Sequence, residues 1–548
     1  MDQRAKDALK MGDKLFDDKR EVDSLWQEIA LNFYPERADF TSKRNAGEEF
    51  SDHLFSSAPV LARRELGNLM SASLRPRSQD WFSIHVDDDD LDNGDAERDY
   101  LERITKVQRQ FMYEAQSGFV RATKQADHDF AAFGNAVIKF GPNFAYDGLL
   151  FQNSHLRDNA WSENAQGKID VNHRNWCPTA RQLVHHFGED KVSKNVRDAF
   201  KKDPEKPFEC RHVVLPNRLY DYKSKNGRQF PFVSLYVERE AEHTLEEVGL
   251  NYFCYVIPRW QTVAGSQYGV SMATGIILPD GRTMQVVIRT LREAAEKHVD
   301  PPMIAISDAI RGDIALYAGG VTTADIEYDE RLGEVLRPIT RDKSGFPIGV
   351  EIAEALKQDL RSGFFLDKIQ LPDIKRDATA YQVRKIIEDS IRSQAPIFEP
   401  IEEDYNNPLC EGAFNVLRDG GAFSQIEMPD SLDNRDVQFS FRSPLADMAD
   451  QREAELFVDG VTRILAPVAQ IDPAQIENVD ITEGTRDALR SSGFKAKWFK
   501  PREAVAQRQQ ENAKAAALAR GMDSLGAAGG IAEQAGKGMA ALNEAGVT

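Results

Sequence analysis

Three consecutive residues, Asp127, His128 and Asp129, have side chains of the types that bind metal ions and transfer protons in hydrolases. They lie in a stretch whose apolar spacing predicts a helix, and neighbouring side chains on a helix point about 100° apart. The two aspartates therefore point to different faces from the histidine. No second cluster of histidine and acidic residues has the spacing of a metal site. A metal-dependent hydrolase built on these residues is only an alternative interpretation.

Two further motifs resemble ligand-binding loops but lack residues that such loops require. The acidic run Asp87–Asp90 invites a calcium interpretation, yet the EF-hand template places Leu91 and Tyr100 where oxygen ligands are needed. The segment GGIAEQAGKG resembles a phosphate-binding loop, but Ile531 occupies the position of its first glycine and Gly538 that of its Ser or Thr. The sequence therefore predicts no catalytic residue, no metal ligand and no cofactor.

A basic segment after residue 493 interleaves cations with aromatic residues, a pattern that can neutralise phosphates and stack on bases. The aromatic residues are Phe494, Trp498 and Phe499. The alternative, which we favour, is the start of a helix with Pro501 at its first position and the aromatic rings packed inside. The cations, all candidates for contacts with nucleic acid, are Lys495, Lys497, Lys500, Arg502 and Arg508.

Length and composition limit the class of protein. The 548 residues exceed what one hydrophobic core usually supports, so we expect several domains or one elongated body with subdomains. The net charge of -19 disfavours tight binding of nucleic acid over the whole surface, because such binding depends on Lys and Arg displacing counterions. The four cysteines form no CxxC pair, which predicts reduced core thiols. Because the sequence has no apolar leader segment and no run as long as a membrane span, we expect a protein that folds in a cytoplasm and does not bind membranes.

Apolar spacing divides the chain into helical and β-rich parts, which together predict a mixed α+β protein. Helical spacing extends over 2–35, 59–74, 97–115 and 118–133. Alternation of Phe82, Ile84 and Val86 predicts a strand, and residues 135–260 contain short β-rich runs separated by Asn, Gly and Pro. From 502 onward the composition predicts a helix that gives way to a flexible Gly/Ala tail.

Two amphipathic helices are predicted on either side of an irregular, β-leaning insert. The first spans about 282–299 and the second about 348–361. Each has an apolar stripe and an opposite charged face, so it can pack on neighbouring chains and still present polar groups. The stripes consist of Met284, Val287, Ile288, Leu291, Ala295 and Val299 in the first helix, and of Ile348, Ile352, Leu356 and Leu360 in the second.

Several phrases, in order along nearly the whole chain, resemble the head-to-tail connecting (portal) proteins of short-tailed, podovirus-type bacteriophages. They include LARRELGNLMSASLRPRSQDWFSIHV, IPRW at 257–260 followed by QYGVSMATGIILPDGRTMQVV, DATAYQVRKIIE at 377–388, FRSPLADMADQREAE at 441–455, and GFKAKWFKPREAVAQR. The chain has Val286 and Val287 where the family usually has Leu-Asn, and ATAYQV where the family has Thr-Ala-Thr-Glu-Val. These departures affect individual helix boundaries more than the resemblance itself.

The resemblance implies a mainly helical α+β subunit with wing, stem, clip and crown. Twelve copies would form a ring around a DNA channel at one vertex of the capsid, with no enzymatic activity. The implied regions are a wing over 1–270, a first stem helix over 271–299, a clip over 300–344, a second stem helix over 345–362, a channel (tunnel) loop over 363–376, a long wing helix and its return over 377–440, and a crown with a flexible tail over 441–548.

The resemblance also places residues for contacts with DNA and partners. Because the chain is acidic, the channel wall should repel DNA on average, and a few cations at narrow points should position it through transient phosphate contacts. Phe364 and Phe365 should pack the base of the loop rather than touch DNA. The candidates for DNA contacts are Lys368, Lys375, Arg376, Arg289 and Arg292. The candidates for contacts between the clip and its partners are Asp325, Glu327, Asp329, Arg331 and Arg337.

The implied partners are other copies of the chain, double-stranded DNA bound without sequence preference, and proteins of the virion. The packaging terminase and then the tail adaptor proteins would bind the clip. Major capsid, scaffold or internal core proteins would contact the rest of the ring. A different structural or scaffold protein of the virion, which forms no closed ring, is the main alternative, and the hydrolase is a weaker one.

Overall fold

A computed structural model gives the fold of the chain. It describes residues 3–45, 47–77, 80–86, 95–143, 145, 147–223, 227–301, 303–305, 336–338, 345–369, 400–432, 437–441, 454, 456–471, 479–491, 494, 498–500 and scattered positions from 504 to 514. The chain divides into two compact units, one made of residues 1–81 and 108–423 and the other of residues 82–107 and 424–548. The predicted long helix from 377 and the predicted Gly/Ala tail lie outside the described residues.

Helices dominate the described residues, with four antiparallel sheets among them. The helices are α1 (Gln3–Asp18), α2 (Arg20–Phe33), α3 (Ala58–Leu74), α4 (Asp95–Tyr113), α5 (Phe119–Phe133), α6 (Ala180–Phe187), α7 (Lys194–Lys202), α8 (Thr274–Val299), α9 (Gly345–Gly363), α10 (Leu366–Ile369), α11 (Asn407–Asp419), α12 (Ala466–Ile471) and α13 (Ile481–Ser491). The strands are β1 (Phe82–Val86), β2 (Ile138–Pro142), β3 (Leu149–Asn153), β4 (Asn159–Glu163), β5 (Ile169–Trp176), β6 (Cys210–Pro216), β7 (Phe232–Glu238), β8 (His243–Leu250), β9 (Tyr255–Val256), β10 (Met303–Ala305), β11 (Leu336–Pro338) and β12 (Val437–Phe441). None of the helices in the described part of the chain has both the length and the apolar character needed to cross a bilayer.

The single helix predicted over 2–35 is wrong, because the chain breaks into α1 and α2 at Lys19. The Lys19 side chain is fully buried, and its ammonium donates a hydrogen bond to the carbonyl of Leu156 at 2.6 Å. Burial lowers the pKa of Lys19 to about 8, although Asp23, at 3.0 Å, favours the charged form. Apolar spacing continues across the break, so the sequence pattern could not reveal it. The helices predicted over 59–74 and 118–133 agree with α3 and α5 to within one residue.

The β-rich character predicted for 135–260 is confirmed, and its main feature is a five-stranded antiparallel sheet in the order β4-β5-β6-β7-β8. Because side chains alternate along each strand, the sheet buries two faces. One face packs against α1, with Val213 and Leu235 in the same core cluster as Ala8. The other face is covered by the two short helices α6 and α7, which the sequence pattern did not predict, through Leu183 and Val196.

A tight turn after α5 joins this helix to the chain that precedes α8. Gly134 ends α5 with a φ of +71°, and its N–H donates to the carbonyl of Phe130 at 2.8 Å. The next side chain, Asn135, both donates to and accepts from the backbone of Gly269, at 2.7 and 2.9 Å. A Cβ atom at Gly134 would lie 2.2 Å from the carbonyl carbon of Val270. The turn therefore requires glycine both for its backbone conformation and for its closeness to residue 270.

The second unit contains the strand predicted from alternation. Phe82, Ile84 and Val86 are buried in β1, as the pattern predicts. Their strand pairs antiparallel with β12, so that Phe82 lies opposite Phe441. The N–H of Ile84 also donates to the hydroxyl of Thr105 in α4, at 3.1 Å. The partner strand was not predictable from the sequence around β1, because it lies far along the chain.

The cysteines are free thiols, as predicted, but one of them is not in the core. Cys210, Cys254 and Cys410 are buried, whereas Cys177 is exposed, so the prediction of a core position is wrong for Cys177. Burial raises the pKa of Cys210 to about 12 and that of Cys254 to about 11. These two thiols are therefore protonated and unreactive at neutral pH.

Replacing Gly134 with alanine should lower the free energy of unfolding by about 3 kcal/mol or more, because a left-handed backbone is combined with a clash against Val270. Gly265 is the matched control. Its φ is +88°, but nothing lies within 4 Å of a Cβ added there, so Gly265→Ala should cost only about 1–2 kcal/mol. Thermal denaturation of both variants beside the parent chain measures the difference. Equal losses would show that the close approach to Val270 contributes nothing.

Candidate functional site in the α8–α9 hairpin and its anchor

The two predicted amphipathic helices are α8 and α9, and both are longer than their apolar stripes indicated. α8 begins at Thr274, eight residues before the predicted start, and contains Pro279. Its first turn is held by Ser271, whose hydroxyl accepts from the N–H of Thr274 at 3.2 Å and donates to the carbonyl of Ala131 at 2.9 Å. The Thr274 hydroxyl donates to the carbonyl of Ala132 at 2.5 Å. Hydrogen bonds to the end of α5 thus fix the start of α8. The sequence around Pro279 gives no indication that the helix begins before this proline.

α8 and α9 pack closely as an antiparallel pair because glycines on α9 lie under large side chains of α8. A Cβ atom at Gly349 would lie 2.7 Å from Leu291, and one at Gly363 would lie 2.3 Å from Ile277. Any larger residue at these two positions would push the helices apart. We call this pair of helices the hairpin.

The base of the hairpin is aromatic, and the predicted packing of Phe364 agrees with the structure. Phe364 is fully buried, and its ring centroid lies 5.5 Å from that of Phe33 at the end of α2. Phe365 has a positive φ of 57° and lies 6.3 Å from the ring of Trp260. The Phe364 ring is thus enclosed in the first unit, whereas the Phe365 ring is half-buried.

Burial of the predicted apolar stripes changes along the hairpin. Near its base, Met284 is 3% exposed and Leu360 is 1% exposed. Further along, Ile352 is 46%, Ile348 58% and Val299 87% exposed. The stripes are therefore buried within the chain only at the base. Apolar side chains toward the other end are only partly covered by the described residues of the same chain.

Polar contacts tie the hairpin to the loop before α3. The side-chain oxygen of Gln285 accepts hydrogen bonds from the N–H groups of Phe55 and Ser56, both at 2.8 Å, and its nitrogen donates to the carbonyl of Ser56 at 3.0 Å. One turn later, Arg289 donates to Glu293 at 2.9 Å, with its guanidinium 5.4 Å from the ring centre of Phe55. Arg289 therefore already has an acidic and an aromatic partner in its own chain.

The structure describes the side chains of only two of the predicted DNA-contact residues, Arg289 and Arg292. Arg292 is exposed on α8, one turn from Arg289. Lys368 lies in the short helix α10, but its side chain is outside the described residues. Lys375 and Arg376 also lie outside them. The contacts of these two loop cations remain predictions.

The predicted partner contacts of the clip lie almost entirely outside the described residues. Arg337 belongs to β11, where its backbone is opposite Ile304 of β10. Asp325, Glu327, Asp329 and Arg331 are not described. The short β10–β11 pair agrees with the β-leaning character predicted for this insert.

The basic segment near residue 500 is partly described. The rings of Phe494 and Trp498 are 5.3 Å apart and meet edge to face, yet both side chains are largely exposed. Arg486 donates to the carbonyl of Lys500. Lys500 and Arg508 are exposed, while Lys495, Lys497 and Arg502 lie outside the described residues. The described part thus has aromatic side chains that pack on each other and remain accessible.

Asp127 and Asp129, considered above as metal ligands, instead form buried ion pairs with arginines. Asp129 is 1% exposed and accepts two hydrogen bonds from Arg37, at 3.0 and 2.8 Å, and one from Asn153 at 2.9 Å. Asp127 is equally buried and pairs with Arg75. Among the described residues, no group of three or more His, Cys, Asp or Glu side chains is placed to hold a metal ion.

Arg75 extends this cluster to a π-helical turn before α11. Its guanidinium donates to Asp127 and to the side-chain oxygen of Asn406 at 2.7 Å, and lies 4.6 Å from the ring centre of Tyr405. The Tyr405 hydroxyl donates to Asp127 at 2.9 Å. Burial alone would lower the pKa of Arg75, but Asp127 more than offsets it and raises the pKa above its ordinary value.

The middle residue of the three, His128, is bound by a third arginine. Arg63 of α3 donates to His128 at 3.1 Å and to the carbonyl of Phe33 at 3.2 Å, with its guanidinium 3.7 Å from the ring centre of Tyr34. Burial, and then the charge of Arg63, lowers the pKa of His128 to about 4, so the ring is neutral at neutral pH. A Cβ atom at Gly67 would lie 2.2 Å from this ring.

We call the six residues Arg37, Arg63, Arg75, Asp127, His128 and Asp129 the arginine anchor. It joins α5 to α3, to the segment after α2 and to the turn before α11. Sequence reasoning identified its acidic and histidine members but missed the arginines. Their distances along the chain, 92 residues for Arg37 and Asp129 and 52 for Arg75 and Asp127, match no local spacing rule.

The chain is similar in sequence to known proteins over most of its length. The sequence pattern of the family described as "Bacteriophage head to tail connecting protein" matches residues 5–499. The "Probable portal protein" of Bordetella phage BPP-1 is 24% identical over 528 residues, which cover 93% of this chain and 92% of that protein. The "Portal protein" of Salmonella phage epsilon15 is 21% identical over 523 residues, which cover 94% and 92%. A chain from the solved "Virion of native gene transfer agent (GTA) particle" is 10% identical with a TM-score of 0.32, covering 76% of this chain and 92% of that one.

Replacing Asp127 with asparagine should lower the free energy of unfolding by about 3–5 kcal/mol, because Arg75 would remain buried without a neutralising partner. Asp17→Asn is the matched control. Asp17 pairs with Arg20 at 2.6 Å on the surface, so its loss should cost less than about 1 kcal/mol. Urea denaturation of the two variants and the parent chain gives both values. If Asp127→Asn lowered the free energy of unfolding as little as the control does, the buried pair would not be important for stability.

Proposed function

The chain belongs to the family of bacteriophage head-to-tail connecting proteins, and on that premise we propose how it acts in the virion. As a portal protein it is a structural component of the phage particle at the portal vertex of the capsid, and not an enzyme. The hydrolase alternative is therefore wrong, and Asp127, His128 and Asp129 belong to the arginine anchor instead.

We propose that twelve copies form a ring in a short-tailed phage, that the genome enters and leaves the capsid through the ring, and that the tail attaches to it. The observation that carries this proposal is the match to two portal proteins over almost the whole of this chain and of theirs. The hairpin supports it, because large apolar side chains on α9 remain exposed in the single chain. Such surfaces usually mark contacts with other proteins.

The proposed regions of the subunit follow the hairpin. Residues 271–299 and 345–362, which contain α8 and most of α9, are the stem. Residues 300–344 form the clip, and 363–376 form the channel loop. The wing consists of 1–270 and 377–440, and the crown of 441–548. The close packing of α8 on α9 and the aromatic base support a stem that moves as one piece.

We propose that the ring conducts DNA mainly by not binding it. Each chain has a net charge of -19, so the average field repels the phosphates and disfavours adhesion. Cations at narrow points then make brief contacts that position the duplex without reading its sequence. Lys375 and Arg376 are the first candidates for this role, with Lys368 beside them. On the stem Arg292 is a better candidate than Arg289, which already pairs with Glu293.

We propose that the clip binds the packaging terminase during filling of the capsid and tail adaptor proteins afterwards. Candidate contacts are Asp325, Glu327, Asp329, Arg331 and Arg337. Capsid, scaffold or internal core proteins bind the wing and crown, where Lys500, Arg508 and the other cations of the basic segment offer a surface for the packaged DNA. The exposed rings of Phe494 and Trp498 support accessibility of this segment.

Negative-stain images and native mass measurement of the purified chain test the ring directly. We expect closed rings with a central opening and a mass of twelve subunits. A monomer or an irregular aggregate would contradict the proposal and favour the alternative of a virion scaffold protein without a closed ring. A ring of another size would contradict only the copy number.

Reversing the charge of the loop with Lys375→Glu and Arg376→Glu should leave rings intact but reduce the DNA retained by particles, because the phosphates lose their transient partners. Deleting 365–374 is a less clean test, since Leu366 is fully buried. Lys201→Glu with Lys202→Glu, an equal charge change on exposed residues of α7, is the control. The DNA content and infectivity of particles assembled with each variant are measured. Equal DNA content in loop variant and control would rule out this role of the loop.

A further inference from the structure

Four large apolar residues on α9 are exposed in the single chain. Phe346 is 37%, Val350 44%, Ile348 58% and Ile352 46% exposed. Their alternating positions place them on two sides of the helix, because residues two apart on an α-helix point about 200° apart. Phe346 and Val350 thus lie on one side of the row that packs on α8, and Ile348 and Ile352 lie on the other.

A cavity lies on the same side of α9 as Phe346 and Val350. The cavity has a volume of about 500 Å³ and lies among α3, α8 and α9. Its apolar lining includes Leu61, Ala62, Met284, Ile288, Ala353 and Leu360. Two cations, Lys357 and Arg361, and two acids, Glu65 and Glu354, also line it. We call this side of the hairpin, with the cavity, Phe346, Val350, Lys357 and Arg361, the cavity flank.

The other side of α9 has two large apolar side chains and one acid. Ile348 and Ile352 project from it, and Asp359 lies in line with them at helical spacing. We call these three residues the isoleucine flank. In the described part of the chain, no cation lies within salt-bridge distance of Asp359. On the cavity flank, Lys357 is 3.7 Å from Glu354 and Arg361 is 3.9 Å from Glu65 and from Asp367, so both cations have only long contacts with acids.

We propose that the isoleucine flank of one copy binds the cavity flank of the next copy. Ile348 and Ile352 pack along Phe346, Val350 and the mouth of the cavity, and Asp359 pairs with Lys357 and Arg361. This inference rests on the proposed ring. The contact joins two different surfaces, so each copy has one flank of each kind. Repetition of such a contact closes a ring when the rotation between neighbouring copies divides a full turn.

The positions of the residues along α9 favour a second copy as the occupant. Copies related by rotation about an axis along the hairpin lie at the same level, so residues with similar numbers meet. Ile348 is level with the interval between Phe346 and Val350. Asp359 is level with the interval between Lys357 and Arg361, which spans only about 6 Å of helix. Apolar surface and opposite charges therefore match at both levels at once.

Charge reversal tests the pairing. Asp359→Lys should raise the protein concentration needed for ring assembly by at least about tenfold, because it places a cation against two others. Adding Lys357→Glu to Asp359→Lys should restore assembly, at least in part, because an opposite pair is formed again. Glu351→Lys is the control, since Glu351 is an exposed acid on the outward face of the same helix. Sedimentation velocity measures the assembled fraction. Equal effects of Asp359→Lys and the control, or no recovery in the double variant, would overturn the pairing.

A mixing experiment tests which surfaces meet. One variant, Ile348→Asp with Ile352→Asp, has a defective isoleucine flank, and the other, Ala353→Trp, fills the cavity. Each should be unable to form rings alone, while an equal mixture should form dimers that contain one copy of each and grow no further. Circular dichroism checks that both remain folded.

The outcomes separate this inference from the proposed function. Rings formed by either variant alone, or dimers of identical copies, would overturn the contact while the portal ring stands. Absence of rings in the parent chain would overturn the proposed ring and this contact together. Mixed dimers beside parent rings would support both.

Discussion

Three consecutive side chains on α5 each contact an arginine from another part of the chain, and the first unit depends on these contacts. Asp129, His128 and Asp127 face different directions, so one turn of helix contacts three separate segments. The aspartates are 1% exposed, and a buried charge that loses its partner is costly. The arrangement therefore specifies how α3, the segment after α2 and the turn before α11 are placed around α5. Apolar packing alone would tolerate more alternatives.

The anchor also determines where the hairpin begins. The carbonyls of Ala131 and Ala132, two and three residues beyond Asp129, accept hydrogen bonds from Ser271 and Thr274 at the start of α8. α3 in turn contributes Leu61 and Ala62 to the cavity beside the hairpin. The same central helix thus fixes both the base of the hairpin and one wall of its flank. Because the base is held so firmly, the exposed end presents its side chains in a defined orientation, as a surface for recognition requires.

The spacing of apolar residues along the chain predicted some of this structure, but it carries no information on contacts between distant segments. Helices such as α3 and α5 and the strand β1 follow from apolar spacing over a few turns, whereas the packing of Phe364 was predicted from the family resemblance. Lys19, at the break between α1 and α2, donates to a carbonyl 137 residues away, and Arg75 donates to Asn406 across 331 residues. Neither has a local signal. The stripe containing Ile348 and Ile352 was predicted to be able to pack on neighbouring chains. The pattern did not show which of its residues the same chain buries, as it buries Leu360 but not Ile348.

The net charge of the chain bears on how copies could associate in the proposed ring. Buried pairs such as Asp127 with Arg75 remove equal numbers of both signs from the surface, so the excess of 19 negative charges stays outside. Copies of the chain therefore repel one another at long range, as they repel DNA. Such copies can associate only through short-range contacts that outweigh the repulsion. In the proposed ring, exposed apolar side chains on α9 would provide contacts of this kind. The same net charge would disfavour adhesion of DNA to the proposed channel.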